Sequence, residues 1–395
     1  MEGPANHSIS RQEFLQRMGT IGAASILAPF ESNATNGKPA TRIKVAIIGC
    51  GSVSTQYLPH LSKAEQVELV STCDIIPERA QTAATKYGIK NHYPSIEKLL
   101  AGAPFDLLVN LTDMQQHGKL NRIALQAGKH VWSEKPMANT YADGKALLEL
   151  ANSRSLHFWG APAVVNSPQF FFMAKAINEG KLGTIAGAHA HYGHLGPTWS
   201  AFFYEKNGGS MPDLAVYNMA TLTGLLGPAR SVMAMLNILT PIRKVDNRSE
   251  PINVEAEDNA MILIEHTSGA LSHVQSGFNY FDPYGHEGTG QTKPSISMWG
   301  TKGNMHLIGY DWAPFGVDMA TSENETTTRF ATDTKGYVWQ EGATVVARSL
   351  VTGTDTLIAA EHALHVLEII EAARRSQADG KRINLESKFK WPVIK

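Results

Sequence analysis

Residues 43–54 read Ile43-Lys44-Val45-Ala46-Ile47-Ile48-Gly49-Cys50-Gly51-Ser52-Val53-Ser54. The first six are apolar but for Lys44, as in a strand buried on both faces, and the run stops at a glycine turn. A helix over 55–63 is expected next, then a second strand, Val67–Cys73, that ends at Asp74. Ser54 and Asp74 are 20 residues apart. At that spacing a βαβ dinucleotide unit carries an acid for the ribose 2′-hydroxyl. Gly49 and Gly51, with Ser52 and Val53 in the same loop, let the backbone approach a pyrophosphate seated on a helix N-terminus. Ser54, a small residue, stands where the fingerprint has its third glycine. Asp74 would repel a 2′-phosphate, so the expected cofactor is NAD rather than NADP. Arg79, five residues on, falls on the adenosine side.

The alternation continues outward. Helices are expected over Pro77–Tyr87, 96–100 and 117–127, and strands over 106–112 and 130–134. Strands and helices of this length alternating imply a parallel, doubly wound sheet, with ligands beyond the C-terminal strand ends. Thr112, His117 and Glu134-Lys135-Pro136 fall at such ends. Cys50 and Cys73 also lie at strand ends and read as small reduced packing residues. After residue 163 the pattern changes. A helix, Pro168–Asn178, and a strand over 185–192 precede two hairpins, one turning at Thr267-Ser268-Gly269 and one at Thr301-Lys302-Gly303. Short β-rich runs around turn residues mark an antiparallel sheet, and a long helix over 357–376 closes the chain. The fold class expected is α/β: a Rossmann dinucleotide-binding domain over 41–162, then an α/β domain with a mostly antiparallel open sheet over 163–395.

Composition agrees with two domains in 395 residues, 43% of them hydrophobic. Lys and Arg number 35 against 36 Asp and Glu, a formal charge of −1. A neutral chain with no basic run is a poor partner for nucleic acid or an anionic membrane. Two cysteines build no disulfide scaffold, and no apolar run reaches membrane-spanning length. Residues 1–40 have the layout of an export signal: a polar start, an apolar stretch over 19–30 and a polar linker. Ser10-Arg11-Gln12-Glu13-Phe14-Leu15 is similar to a twin-arginine signal in which Gln12 replaces one arginine. The expectation is export to the periplasm, or else a helical arm that packs on the body or on a second subunit of a cytoplasmic protein.

At Glu134-Lys135-Pro136 the chain resembles the Gfo/Idh/MocA family of oxidoreductases. Stretches 45–54, 106–136, 208–227, 254–278, 300–307 and 361–373 carry the likeness. The resemblance implies a Rossmann domain followed by an open sheet that holds the substrate site and the contact of a homo-oligomer, a dimer or tetramer. It also implies that Lys135 lies near the substrate hydroxyl and the nicotinamide. Ser210-Met211-Pro212-Asp213-Leu214-Ala215-Val216-Tyr217 opens a helix, with Ser210 suited to the N-cap and Asp213 three residues later. Asp213 is therefore a helix cap or a substrate ligand. It shares a helix face with Tyr217, four residues on. The family's inositol dehydrogenase branch has histidine at the second position. Tyrosine stands there in the branch of glucose–fructose oxidoreductase and dihydrodiol dehydrogenase. An ammonium within about 4–6 Å favours the phenolate, so Tyr217 is expected as general acid/base with Lys135 assisting and lowering its pKa.

Two aromatic clusters suit sugar rings or a subunit contact. One holds Trp199, Phe202, Phe203 and Tyr204, and the other lies over 279–290 with His286. His189 and His191 alternate with Tyr192 and His194 on one strand. With no third ligand at a matching position, they read as a polar sheet face rather than a metal site. The leading expectation is an NAD-dependent oxidoreductase of a sugar, glycoside or cyclic polyol. The alternatives are a redox-neutral glycoside hydrolase that uses bound NAD (oxidation, elimination, hydration, re-reduction) and a cofactor-binding sensor without turnover.

Overall fold

In the computed structural model, residues 42–281, 293–333 and 337–395 are described. The signal-like segment over 1–40 and His286 lie outside the described residues. The quoted run becomes β1 (Ile43–Ile48), joined by β2 (Val67–Cys73), β3 (Asn91–Tyr93), β4 (Leu107–Asn110), β5 (His130–Ser133) and β6 (Phe158–Gly160). These strands form one sheet in the order β3-β2-β1-β4-β5-β6, every pair parallel. Val45, Ala46 and Ile47 have no exposed surface, which explains why the strand does not alternate. The strand order reverses between β1 and β4, and a crevice for a ligand opens there at the C-terminal ends.

Gly49 sits in that crevice. Its φ is +89°, and a Cβ would stand 2.5 Å from the Leu111 carbonyl group and 2.6 Å from the Thr112 nitrogen. The loops after β1 and β4 meet so closely that only glycine fits. The helix that follows is Ser54–Leu61, shorter at its C-terminal end than the pattern implied, and Ser54 Oγ closes the loop on the Gly51 carbonyl at 2.7 Å.

The remaining strands are β7 (Ile185–Gly193), β8 (Ala229–Asn237), β9 (Ile242–Arg243), β10 (Ile252–Asn253), β11 (Asn259–His266), β12 (Leu271–Gly277), β13 (Pro294–Gly300), β14 (Gly303–Tyr310), β15 (Ala313–Thr321), β16 (Asn324–Phe330) and β17 (Ile383–Asn384). Apart from the β9–β10 pair, they form a nine-stranded sheet in the order β16-β15-β14-β13-β7-β12-β11-β8-β17. It is mixed: β7 and β12 pair in parallel and the other described pairs are antiparallel. Helices Pro168–Asn178, Val216–Leu226 and Ala360–Asp379 cover one face. On the other face Met233, Met235, Met261, Leu263 and Leu271 are exposed. The helix Glu341–Thr352 returns to the first sheet and packs on β1, β2 and Ser54–Leu61. No helix among the described residues is long and apolar enough to cross a membrane.

Candidate active site

Lys135 follows β5, and two neighbours fix its turn. Glu134 is buried. It accepts the Tyr57 hydroxyl at 2.6 Å and the Lys135 backbone N–H at 2.9 Å. On the other side His117 lies with Nδ1 2.7 Å from the Pro136 carbonyl and Nε2 2.8 Å from the Thr112 carbonyl. A buried amide ladder underlies both. Thr112 donates to Asn110, Asn110 to Asn121, and Asn121 to Ser133 and to the Met137 carbonyl.

So held, Lys135 crosses to the second sheet's helices. Its Nζ is 2.7 Å from both the carbonyl and the Oδ1 of Asp213. It also stands 5.1 Å from the centroid of the Tyr217 ring, over its face. Asp213 belongs to a π-helical turn, Met211–Ala215, that leads into Val216–Leu226. Single π turns recur at functional sites. The expected capping box is absent. Ser210 is helical (φ −70°, ψ −26°), makes no side-chain cap and pairs with Ser276 instead. A cap needs an extended residue, and the Asp213 carboxylate is engaged by Lys135.

Other groups hold this turn in place. Met211 N–H donates to Glu257 at 3.2 Å, and Arg374 pairs with Glu257 and with the Gly208 carbonyl. A Cβ on Gly209 would stand 2.3 Å from that carboxylate. Behind the helix, Asn218 and Thr221 donate to Asp311 at 3.0 and 3.1 Å. Burial pushes the Asp311 carboxyl up to about 6.

The expected lowering of the Tyr217 pKa is corrected. The phenol is held well above its ordinary value, first by burial and then by the charges of Glu134 and Asp213. Lys135 is close enough to act, but its charge is already met by Asp213, and burial disfavours a phenolate. Tyr217 therefore rests as a neutral hydroxyl.

Asp74 is buried at the end of β2, where Oδ2 takes the Cys50 N–H at 2.7 Å and Oδ1 the Ile76 N–H at 2.8 Å. Exposed Ile75 stands beside it. At Gly51 a Cβ would meet only Arg79 Nη1, 4.0 Å away. Ser52 is exposed and Val53 half-buried. A cradle open at Gly51, a helix N-terminus and a carboxylate at the β2 end fit a dinucleotide. The Glu134 and His117 side chains are committed to protein partners, so they shape the crevice.

Trp199 does not join this constellation. It is half exposed and meets Phe203 edge to face at 5.2 Å. The same loop touches the first sheet through Gln115, which donates to the Phe202 carbonyl at 2.8 Å. A different aromatic group lies closer to the reacting end. Tyr192 packs on Tyr310 at 4.7 Å, Tyr310 stacks on Trp312 at 5.2 Å, and the charge of Asp213 bears on Tyr192. These residues sit on β7 and at the β14–β15 turn, far apart in sequence, and no local motif announces them.

Cys50 and Cys73 are free and buried, their thiols pushed up to about 12 chiefly by burial. His189 lies on the open sheet face with its Nδ1 2.8 Å from that of His273. Among the described residues no group of three or more His, Cys, Asp or Glu is arranged to hold a metal.

Two family models match the chain. The NAD-binding Rossmann fold of the Gfo/Idh/MocA oxidoreductase family covers residues 43–160, and that family's C-terminal domain covers 171–306. D-apiose dehydrogenase of Rhizobium rhizogenes is 22% identical over 361 residues, 87% of this chain and 98% of that protein. D-apiose dehydrogenase of Paraburkholderia graminis is 25% identical over 244 residues, 60% of this chain; the match spans 61% of that relative's length. The WlbA dehydrogenase of Bordetella pertussis, solved with NADH and UDP-GlcNAcA, shares the fold. Its TM-score is 0.70 at 23% identity, covering 87% of this chain and 99% of that one.

Proposed function

The chain belongs to the Gfo/Idh/MocA family of oxidoreductases, and from that premise we propose that it is an NAD-dependent oxidoreductase of a sugar, glycoside or cyclic polyol. The observation that carries the reading is the Lys135 ammonium held between Asp213 and the Tyr217 ring at the mouth of the nucleotide crevice.

The nucleotide would lie along Gly49, Gly51, Ser52 and Val53, with Asp74 on the adenosine ribose, Arg79 beside the loop, and Thr112 and Lys135 at the reacting end. When bound, it accepts or returns a hydride at a carbinol carbon. The protein supplies the rest. Tyr217, kept protonated by burial, donates its proton to a substrate carbonyl oxygen in the reducing direction and takes it back in oxidation. The Lys135 ammonium stabilises negative charge that develops on that oxygen. Asp213 fixes the ammonium and stands where a neighbouring ring hydroxyl would need an acceptor. Trp312, partly exposed and backed by buried Tyr310, could offer an aromatic face to the apolar side of a sugar ring.

The support for NAD over NADP is the buried carboxylate of Asp74, which disfavours a phosphate beside it. The support for a homo-oligomer is the exposed Met and Leu face of the second sheet.

The test is turnover of sugars, glycosides and cyclic polyols with NAD by wild type and Tyr217→Phe. Tyr217→Phe should lose about 100-fold or more in kcat while NAD affinity stays nearly constant. Near wild-type rates would sink the assignment. Aglycone release from aryl glycosides without added NAD would replace net oxidation with redox-neutral hydrolysis. NAD binding with no turnover of any of these would leave a sensor.

A further inference from the structure

We propose that His117 is a positioning residue for Lys135, its buried neutral ring wedged between the Pro136 and Thr112 carbonyls with its one N–H, on Nδ1, donated to Pro136. This rests on the reading that Lys135 works at the reacting end.

His117 opens the helix His117–Gln126 and is almost wholly buried. Both of its ring nitrogens face backbone carbonyls, Pro136 at 2.7 Å and Thr112 at 2.8 Å. A carbonyl oxygen only accepts, and a neutral imidazole has a single N–H. A neutral ring therefore holds one carbonyl and turns a lone pair toward the other. An imidazolium donates to both. The site sets these states against each other. Burial, the Lys135 charge and the positive end of the helix oppose the second proton, while the two carbonyls and Glu134 favour it. Asp113, on the loop before the helix, is near enough for its carboxyl to feel the ring's charge. Burial wins, and the ring takes its second proton only below the ordinary histidine range.

The carbonyl held matters because of what adjoins it. Pro136 has no N–H, so its carbonyl is the only backbone polar group through which that residue can be anchored. Lys135, one residue earlier, is fixed at its own N–H by Glu134. Glu134 and His117 thus pin the lysine turn on either side, and the side chain leaves it toward Asp213. The Thr112 end lies against Gly49, where the β1 and β4 loops meet. One buried imidazole therefore stands between the nucleotide loop and the lysine, bonded to the lysine turn and packed against the loop at Thr112. A shift of about 1 Å at a reacting group costs on the order of 100-fold in rate.

The experiment compares wild type with His117→Ala and His117→Asn, each checked for folding by thermal melting. His117→Ala should lower kcat about 10–100-fold with the NAD dissociation constant changed less than about threefold. His117→Asn, which returns one donor, should recover part of the loss. Two readouts do not need turnover. Reductive 13C-methylation of the lysines should give a Lys135 resonance that moves in His117→Ala. Imidazole 15N signals should show a neutral His117 at pH 7 with one N–H, and a second only on acidification. Should His117→Ala not fold, His117→Asn carries the same comparisons with a smaller shift. An unmoved Lys135 resonance, or a loss of NAD affinity as large as the loss in kcat, would overturn the proposal. Absence of turnover in the wild type would instead defeat the dehydrogenase reading and leave the resonance test standing.

Discussion

Lys135 Nζ and Asp213 Oδ1 stand 2.7 Å apart with both side chains largely buried, and this ion pair sets the charge that faces the tyrosine beside it. An unpaired ammonium over the Tyr217 ring would favour the phenolate. Paired, it leaves burial and the charges of Glu134 and Asp213 to hold the phenolic proton in place.

The pH profile follows from that pair. Carbonyl reduction needs the proton on Tyr217, so kcat/KM should stay level through neutral pH and fall only above about 10, the ordinary tyrosine value. Asp213→Asn removes one charge that raises the phenol and frees the ammonium. Its alkaline fall should come about one unit lower, and kcat should drop about 10–100-fold. Rate profiles of the two proteins check this, and a fall at the same pH in both would contradict it.

The second expectation concerns cofactor choice. Both Asp74 oxygens already accept backbone N–H groups, from Cys50 and Ile76. The carboxylate is therefore held in place before any ligand arrives. Wild type should bind NAD more tightly than NADP, and Asp74→Ser should narrow that preference by about 10-fold or more. Fluorescence titration with both nucleotides measures it. Tighter NADP binding by the wild type would reverse the assignment.

The first sheet was readable because its information is local. β1, the glycine turn and Asp74 occupy 32 consecutive residues, 43–74, and each obeys a rule of burial or backbone geometry. Lys135, Asp213 and Tyr217 were singled out by motif and by helical spacing, and the structure brings the three together. What joins them was not readable. The pull of Glu134 and Asp213 on Tyr217 depends on burial that appears only when two sheets meet. The capping box failed for the same reason: Ser210-x-x-Asp213 is locally sound, but a lysine 78 residues earlier takes the carboxylate. Tyr57, Glu257, Asp311 and Arg374 support the site from four separate regions, so no spacing betrays them.

A third expectation is loss of stability in acid. His266, His362 and His365 are buried, with values lowered to about 4, 4 and 3, chiefly by burial. Ala229 N–H donates to His365 Nε2, so Nδ1 carries the proton and donates to Ser387, which donates to Glu368. A second proton on His365 would break that chain. The unfolded chain binds protons at each histidine near 6.5, and the folded chain does not. Stability is thus full above about 6.5 and falls as pH drops toward 4, by on the order of 2–3 kcal/mol per histidine. Urea midpoints at pH 7 and pH 5 should show the loss, and His362→Gln should reduce it. Equal midpoints would refute this.

The last expectation joins the open sheet face to assembly. Met233 lies opposite Leu263, and Met235 opposite Met261, on adjacent strands. The next strands add Leu271, His273 and His189 on the same side. Met235 is 77% exposed and Leu263 57%. Apolar side chains grouped in this way on a sheet are suited to association, and in the proposed homo-oligomer a second copy of the chain would cover them. The histidines make that cover sensitive to pH. With Nδ1 atoms 2.8 Å apart, one ring of the His189–His273 pair must donate and the other accept. A doubly charged pair cannot keep that bond. Burial lowers both values, and the charge of His189 lowers that of His273 further. Both rings therefore charge only below their ordinary range, and a dimer burying them should weaken as pH falls below about 6. Light scattering across pH 5–8 should show the mass fall on the acid side. The double substitution Met235→Glu and Leu263→Glu should lower it at every pH and leave turnover unchanged, because neither side chain approaches Lys135, Asp213 or Tyr217. A monomer at all pH values in the wild type would remove the self-association reading, and a mass independent of pH would remove the histidines from it.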